Sequence, residues 1–119
     1  MAKHNDLGKT GEQLAVNYLQ EKGYKIIRRN FRYLKAEVDI IVKKDNEIIG
    51  VEVKTRTSDY FGNPQDFINQ KKIKLMVLAL DYYVTENDLD VEVRFDIIAI
   101  LKQKNAFQIE HLKDAFLYF

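Results

Sequence analysis

The sequence predicts an α/β fold in which a mixed central β-sheet is flanked by helices. Three observations predict this fold. Two long stretches have the apolar spacing of helices, several short stretches alternate apolar and polar residues as strands do, and polar turns separate them. The predicted order is helix, three strands, helix, two strands and a final helical turn. With 119 residues and neither an internal repeat nor a linker, residues 1–119 are expected to form a single domain.

The helices are predicted from apolar periodicity and from the residues that begin and end them. The first helix is predicted over about residues 6–22, with Gly23 as the residue that ends it. A first strand follows over residues 24–30. The second helix is predicted over about residues 65–85, with Asn63 as its N-cap. The remaining elements are predicted as strands over 91–102 and 107–111 and a helical turn over 116–119.

The two strands between these helices are predicted as a hairpin. Residues 37–42 and 48–55 alternate as strand residues do, and Asp45 and Asn46 lie between them. Asp and Asn tolerate the positive φ of a two-residue turn. A turn at this point sets a register in which acidic residues of the two strands face each other.

The facing acidic residues are Asp39 and Glu52, and they are the most informative feature of the chain. Opposed residues have Cβ atoms roughly 4.5–5.5 Å apart, which suits two carboxylates that bind one divalent cation. Lys54 shares the face of Glu52 because strand side chains alternate, and the same register places Glu37 opposite Lys54. The alternative is a charged, solvent-facing strand surface on which Glu37 and Lys54 form an ordinary cross-strand pair.

The charges balance overall but are segregated along the chain. The sequence has 19 basic and 18 acidic residues and a net charge of +1. Residues 22–35 contain six basic residues, including Arg28 and Arg32, three aromatic residues and no acidic residue. A basic strip with interleaved aromatic residues is typical of a surface that binds phosphates. A solvated surface that balances acidic residues elsewhere has the same composition.

Composition excludes several classes of protein. The chain has no cysteine, so disulfides and thiolate metal sites are excluded. No apolar run approaches the ~20 residues of a membrane span. The first residues form no apolar signal region, so a cytoplasmic protein without membrane contact is expected.

Four other polar residues are candidates for structural roles or for none. Asp96 lies within the apolar strand 91–102 and needs a partner if it is buried. Arg94, on the same face, is the predicted partner, in a structural pair. His4 and His111 lack metal-ligand spacing, and no role is predicted for either.

The order of elements and the motif Asp39…Glu52-Val53-Lys54 resemble the restriction-endonuclease-like PD-(D/E)XK superfamily. More closely, the chain resembles the YraN-like bacterial family, uncharacterised proteins similar to archaeal Holliday-junction resolvases. Ala36 departs from the glycine usual in the family, and Val38 from the superfamily's proline. The matching segments span nearly the whole chain: Gly11–Ala15, Glu37–Ile41, Val51–Arg56, Phe61–Pro64, Arg94–Ile98 and His111–Phe116.

The resemblance implies a restriction-endonuclease-like core of order α-β-β-β-α-β and a metal-dependent endonuclease that hydrolyses DNA phosphodiesters, with branched or recombination intermediates among its substrates. It implies Asp39, Glu52, Lys54 and Glu12 as catalytic residues. Asp39, Glu52 and the Val53 carbonyl would bind Mg²⁺ or Mn²⁺, cations that prefer oxygen ligands.

Four basic residues are predicted to contact the nucleic acid: Arg56, Lys72, Arg28 and Arg32. For Lys72 the alternative is a solvated position on the exposed face of the second helix. The resolvases that the chain resembles also imply a homodimer. The alternative function is a non-catalytic nucleic-acid-binding or interaction module that keeps the nuclease fold. The presence of all three core residues of the motif favours the enzyme.

Overall fold

The chain folds as a mixed five-stranded sheet with a helix on each face. The computed structural model describes residues 3–57 and 68–115. The element order is the predicted one, an α-β-β-β-α-β core followed by an edge strand, and the predicted helical turn over 116–119 lies outside the described ranges. The elements are α1 (Lys3–Glu21), β1 (Lys25–Tyr33), β2 (Ala36–Lys44), β3 (Glu47–Arg56), α2 (Gln70–Glu86), β4 (Glu92–Gln103) and β5 (Ala106–Leu112).

The strands lie side by side in chain order. Neighbouring strands are antiparallel except β3 and β4, which are parallel. A parallel pair needs a crossover connection, and the segment containing α2 provides it. The β3–β4 pairing runs from Glu47 opposite Glu92 to Arg56 opposite Leu101. Because β4 is buried from Phe95 to Leu101, this pair forms the centre of the sheet.

Among the described residues, no helix is long and apolar enough to cross a membrane.

Each helix covers a separate apolar cluster on its own side of the sheet. The α1 cluster contains Ala15, Val16, Leu19, Tyr24, Ile40, Val42, Ile49, Val51, Ile98 and Ile100. The α2 cluster contains Phe31, Ala36, Val38, Ile41, Ile48, Met76, Ala79, Leu80 and Phe95.

The helix ends agree with prediction for α1 but not for α2. Gly23 follows α1 with φ of +90°, a conformation that favours glycine, as predicted. The predicted start of the second helix near residue 65 is wrong, because Ile68 and Asn69 precede the helix and Asn69 is its N-cap. The Asn69 side chain accepts a hydrogen bond from the N–H of Lys72 at 2.8 Å. The predicted cap, Asn63, lies outside the described residues.

A buried ion-pair network joins β4 to β5 and to the α1 side of the sheet. Asp96 is fully buried, and Arg94 donates to both of its oxygens at 2.9 Å, which confirms the predicted pair. Arg94 also donates to the Tyr24 hydroxyl at 3.1 Å. Burial opposes ionisation of Asp96, but its hydrogen bonds to His111, Arg94 and the N–H of Asp114 outweigh burial and lower its pKa.

His111 has a structural role that the sequence did not predict. Its Nε2 lies 2.7 Å from an oxygen of Asp96, and its Nδ1 lies 3.0 Å from the hydroxyl of Tyr18 on α1. One signal could have indicated this role: a buried carboxylate accepts more hydrogen bonds than Arg94 alone supplies, so Asp96 needs a further donor. His111 therefore connects the edge strand β5 to α1 through Asp96.

Replacing Asp96 with Asn should destabilise the fold strongly. Asp96→Asn removes the buried charge that pairs with Arg94 at 2.9 Å and leaves Arg94 with Glu47 as its remaining ion-pair partner. Removing one partner of a buried ion pair costs about 3–5 kcal/mol. Urea unfolding measures this loss. The matched control is the exposed residue Asp90, for which Asp90→Asn should change the free energy of unfolding by less than about 0.5 kcal/mol. Equal effects of the two substitutions would contradict the structural role of the network.

Candidate functional site

The candidate site lies where β2 and β3 stop pairing. The predicted turn is confirmed, since Lys44 pairs with Glu47 and Asp45 has φ of +54°. The ladder then continues in the predicted register up to Ile40 opposite Val51.

Beyond this last pair, side-chain hydrogen bonding replaces the ladder. The N–H of Val53 donates to Oδ2 of Asp39 at 2.8 Å. Asp39 and Glu52 are therefore neighbours at the parting of the strands and not a ladder pair. The carboxylate of Asp39 is held in place by the backbone of β3.

The side chains of β2 change from one face of the sheet to the other at Asp39. Val38 packs in the α2 cluster, whereas Ile40 packs in the α1 cluster. Alternate residues of a regular strand share a face, so the backbone must twist between these two positions. The partner strand β1 shows the irregularity at the same level, because Asn30 has φ of +54° between the pairs Arg29–Ile40 and Phe31–Val38. This twist separates the first residues of β2 from β3 and leaves Asp39 half-buried beside Glu52.

Glu52 is almost completely buried and lies at the centre of the site. Its exposed fraction is 1%, and the Nζ atoms of Lys54 and Lys72 each lie 3.2 Å from its Oε2. Oε1 is also buried, and it has no hydrogen-bond partner within the described part of the chain. A buried carboxylate oxygen without a partner is costly, so the site favours an additional positive group at Oε1.

Burial and neighbouring acidic residues raise the pKa values of Asp39 and Glu12. Burial, and after it the charge on Glu52, raise the pKa of Asp39 to about 7, while the N–H of Val53 and the charge on Lys72 oppose the rise. Burial also raises the pKa of Glu12 on α1, with Arg29 opposing and with Glu37 and Glu52 adding to the rise. Both carboxyl groups therefore hold a proton more readily in the folded protein, chiefly because they are buried.

Close packing of α1 against β3 brings Glu12 to the site. Gly11 contacts Thr55, and a Cβ at position 11 would collide with Oγ1 of that side chain. Glu12, the next residue along α1, is half-buried and acts electrostatically on Asp39. The structure thus brings together all four residues predicted as catalytic: Glu12, Asp39, Glu52 and Lys54.

Lys72 is brought to the acidic site by the start of α2. The cap at Asn69 places Lys72 in the first helical turn, from which its ammonium reaches Glu52 at 3.2 Å. Lys72 therefore contacts a carboxylate of the site, while its side chain stays 39% exposed. The positive end of the helix dipole lies at the same end of α2, where it favours negative charge.

The other predicted basic residues lie on β3 and β1. Arg56 is exposed at the end of β3, and its Nη1 donates to the carbonyl of Thr55 at 2.9 Å. Arg28 and Arg32 lie on β1. The ion pair of Arg32 with Glu37, at 3.0 Å, replaces the predicted pairing of Glu37 with Lys54, which is wrong because β2 leaves β3 before reaching Glu37.

The donor set fits a cation that keeps part of its water shell. Within residues 3–57 and 68–115, no group of three or more acidic or histidine side chains is arranged to hold a metal ion. The site offers two neighbouring carboxylates, Asp39 and Glu52, and the second has an oxygen without a partner. Mg²⁺ is usually bound by one or two carboxylates together with waters, so these two residues suit it.

The five-stranded mixed sheet and its two helices form an α-β-β-β-α-β core of the restriction-endonuclease-like type. The chain belongs to the uncharacterised protein family UPF0102, whose family model matches residues 11–100. UPF0102 proteins from Christiangramia forsetii and Flavobacterium psychrophilum are 60% and 56% identical to it over 119 residues, with both chains of each pair fully covered. A UPF0102 protein from Phocaeicola vulgatus is 46% identical over 116 residues, which cover 98% of this chain and 96% of the relative.

A side chain at position 11 should separate α1 from β3. Gly11→Ala should lower the free energy of unfolding by about 1–3 kcal/mol, because the new Cβ overpacks against Thr55. The matched control is Gly8, one turn earlier in the same helix. A Cβ added at Gly8 would contact no other part of the described chain within 4 Å. Gly8→Ala should stabilise the protein by about 0.5–1 kcal/mol through helix propensity. Thermal unfolding of both variants measures the contrast, and a stabilising Gly11→Ala would contradict the close contact.

Ionisation of Asp39 should make stability depend on pH in metal-free protein. The carboxyl titrates near 3.8 when unfolded and near 7 when folded, so the folded state keeps a proton that the unfolded state has lost. Stability contributed by this group is therefore present below pH 4 and lost as pH rises to about 7. Asp39→Asn cannot ionise, so its stability relative to wild type should increase over this range and level off above it.

Urea unfolding in the presence of EDTA at several pH values measures the effect of Asp39→Asn. The control is Asp45→Asn in the exposed β2–β3 turn, where Asn also tolerates the positive φ. The difference between this control and wild type should not change over the same pH range. A constant difference for Asp39→Asn as well would contradict the raised pKa.

Proposed function

We propose that the chain is a metal-dependent endonuclease that hydrolyses DNA phosphodiesters. The observation that carries the proposal concerns Glu52: two lysines contact its Oε2, while its buried Oε1 has no hydrogen-bond partner among the described residues. Hydrolysis of a phosphodiester needs positive charge at the phosphate. Carboxylates that hold a cation, with ammonium groups next to them, can supply it. Branched or recombination intermediates are the substrates that the resemblance to resolvases favours.

The residues that would hold Mg²⁺ or Mn²⁺ are Asp39 and Glu52, together with the carbonyl of Val53. When bound, the cation polarises the scissile phosphate and lowers the pKa of a water molecule. The N–H of Val53 orients Asp39 for this task through its 2.8 Å hydrogen bond. The burial of Glu52 excludes bulk water from one side of the site and so strengthens the electrostatic interactions there.

The two lysines supply positive charge for the phosphate. Lys54 and Lys72 have flexible side chains, which are 25% and 39% exposed, so their ammonium groups reach solvent while they contact Glu52. Either ammonium can neutralise the negative charge that develops on the non-bridging phosphate oxygens in the transition state. Glu12, whose pKa is raised by burial, would accept a proton from the attacking water.

Substitution of the site residues should abolish cleavage while the fold persists. Labelled duplex, single-stranded and four-way-junction DNA are incubated with the protein and Mg²⁺ or Mn²⁺. Asp39→Asn and Lys54→Ala should each reduce the rate by about 10²–10³, the loss typical when one electrostatic group is removed from an active site. The matched control is Lys104→Ala in the exposed β4–β5 turn, which should cleave at the wild-type rate.

Two other outcomes would overturn the proposal. Equal cleavage by wild type, Asp39→Asn and Lys54→Ala would place the activity elsewhere. Binding without cleavage by the wild-type protein, with an affinity that falls steeply with salt, would support a nucleic-acid-binding module that retains the fold. In that case the lysines on Glu52 form a structural ion cluster.

A further inference from the structure

Leu34, at the tip of the β1–β2 hairpin, is an apolar residue in a backbone conformation that its turn needs but that leucine disfavours. Tyr33 pairs with Ala36, so Leu34 and Lys35 form a two-residue turn. Leu34 has φ of +57° and is 79% exposed. The β2–β3 hairpin has Asp45 at the same turn position with φ of +54°, a residue type that suits it. An exposed leucine with left-handed backbone is an outlier of the kind that marks functional sites.

A stack of aromatic rings leads from the α2 cluster to this leucine. The rings of Tyr33 and Tyr82 lie 3.9 Å apart with an interplanar angle of 14°. The next ring, Phe31, lies 6.5 Å from Tyr82 at 25°, and Tyr82 is 36% exposed. Tyr33 ends the stack directly before Leu34. Parallel aromatic rings at a surface are the structure on which unpaired bases stack.

Basic side chains lie on the β1 side of the stack and indicate the kind of partner. The guanidinium of Arg28 lies 5.2 Å from the ring centroid of Phe31, and Lys35 is exposed at the hairpin tip. The side chain of Arg32 is 76% exposed although it contacts Glu37. Residues 22–35 contain no acidic residue. Bases linked by phosphates match this combination of rings and cations better than an apolar protein segment does.

The hairpin tip is close to the candidate site along a single strand. Ala36 ends the turn and Asp39 lies three residues further along β2, a distance of about 10 Å at roughly 3.3 Å per residue. This distance corresponds to about three stacked bases at roughly 3.4 Å each. A nucleic acid with a phosphate at Asp39 can therefore reach Leu34 with a base a few nucleotides away.

We infer that Leu34 and the Tyr33–Tyr82 stack bind an unpaired base at the point where a DNA duplex opens. Leu34 enters the base stack as an apolar wedge, and the half-buried ring of Tyr33 receives the base that the wedge separates. The preferred substrate is DNA with a junction between duplex and unpaired nucleotides, cut a few nucleotides from that junction. This inference rests on the proposed function for the cleavage step and assigns its substrate class.

The test uses Leu34→Asn in the full chain. Asn suits the positive φ at the tip, so this variant should be at least as stable as wild type in thermal unfolding. Its affinity for a duplex with a single-stranded branch should fall about tenfold or more, the loss expected when one stacked base is released. Its affinity for plain duplex should not change. Fluorescence anisotropy in EDTA measures both affinities without cleavage.

A base analogue reports the contact itself. With 2-aminopurine as the first unpaired base, wild type should change its fluorescence on binding, and Leu34→Asn should not. Leu34→Met keeps an apolar wedge and should restore the change. The matched control, Ile109→Asn, replaces an exposed apolar residue on β5 at the opposite edge of the sheet and should behave as wild type.

Three results would overturn the inference. One is unchanged branch binding by Leu34→Asn. Another is equal loss on branched and plain duplex DNA. The third is conversion of a dimer to a monomer by Leu34→Asn with unchanged fluorescence, which would assign the hairpin to contacts between two copies of the chain.

Failure of this inference is distinguishable from failure of the nuclease proposal. Asp39→Asn should keep the 2-aminopurine signal and lose cleavage if both are correct. A wild-type signal without any cleavage would leave the base-binding surface standing and refute the nuclease. Cleavage by wild type with no effect of Leu34→Asn on binding or signal would refute the surface alone.

Discussion

The candidate site depends on the ion cluster around Glu52. Lys54 from β3 and Lys72 from the first turn of α2 contact the same oxygen of this buried carboxylate. Burying an ionised carboxylate costs several kcal/mol unless it is paired, so these contacts hold the helix start and the strand together. Both lysines contact Oε2, and the buried Oε1 has no hydrogen-bond partner within residues 3–57 and 68–115. The cluster thus stabilises the fold and leaves negative charge for a ligand.

Comparison with Asp96 shows why we assign function to one buried carboxylate and structure to the other. The two lie on adjacent central strands, since Asp96 pairs with Val51, the neighbour of Glu52. Asp96 accepts hydrogen bonds from Arg94, His111 and a backbone N–H on its two oxygens. A fully satisfied polar network makes a core rigid, whereas an unsatisfied buried oxygen needs an explanation outside the fold.

The sequence predicted the order of elements, the turn at Asp45 and the residues of the site, because alternation and turn chemistry depend on a few adjacent residues. It could not predict how the strands meet the helices. The twist of β2 at Asp39 follows from packing against both helices, and it gives Glu37 the partner Arg32 in place of a lysine on β3. The role of His111 was missed for the same reason, because its partners come from other parts of the chain.

The most direct test of the account is a crystal structure of the protein grown with Mn²⁺, with anomalous diffraction used to locate the metal. The account predicts one peak between the carboxylates of Asp39 and Glu52, about 2.0–2.2 Å from oxygen atoms of both and including Oε1 of Glu52. The same data for Asp39→Asn should show the peak weakened or absent. A Mn²⁺ peak away from these residues, or none at saturating Mn²⁺, would contradict the assignment of this acidic cluster as a metal centre.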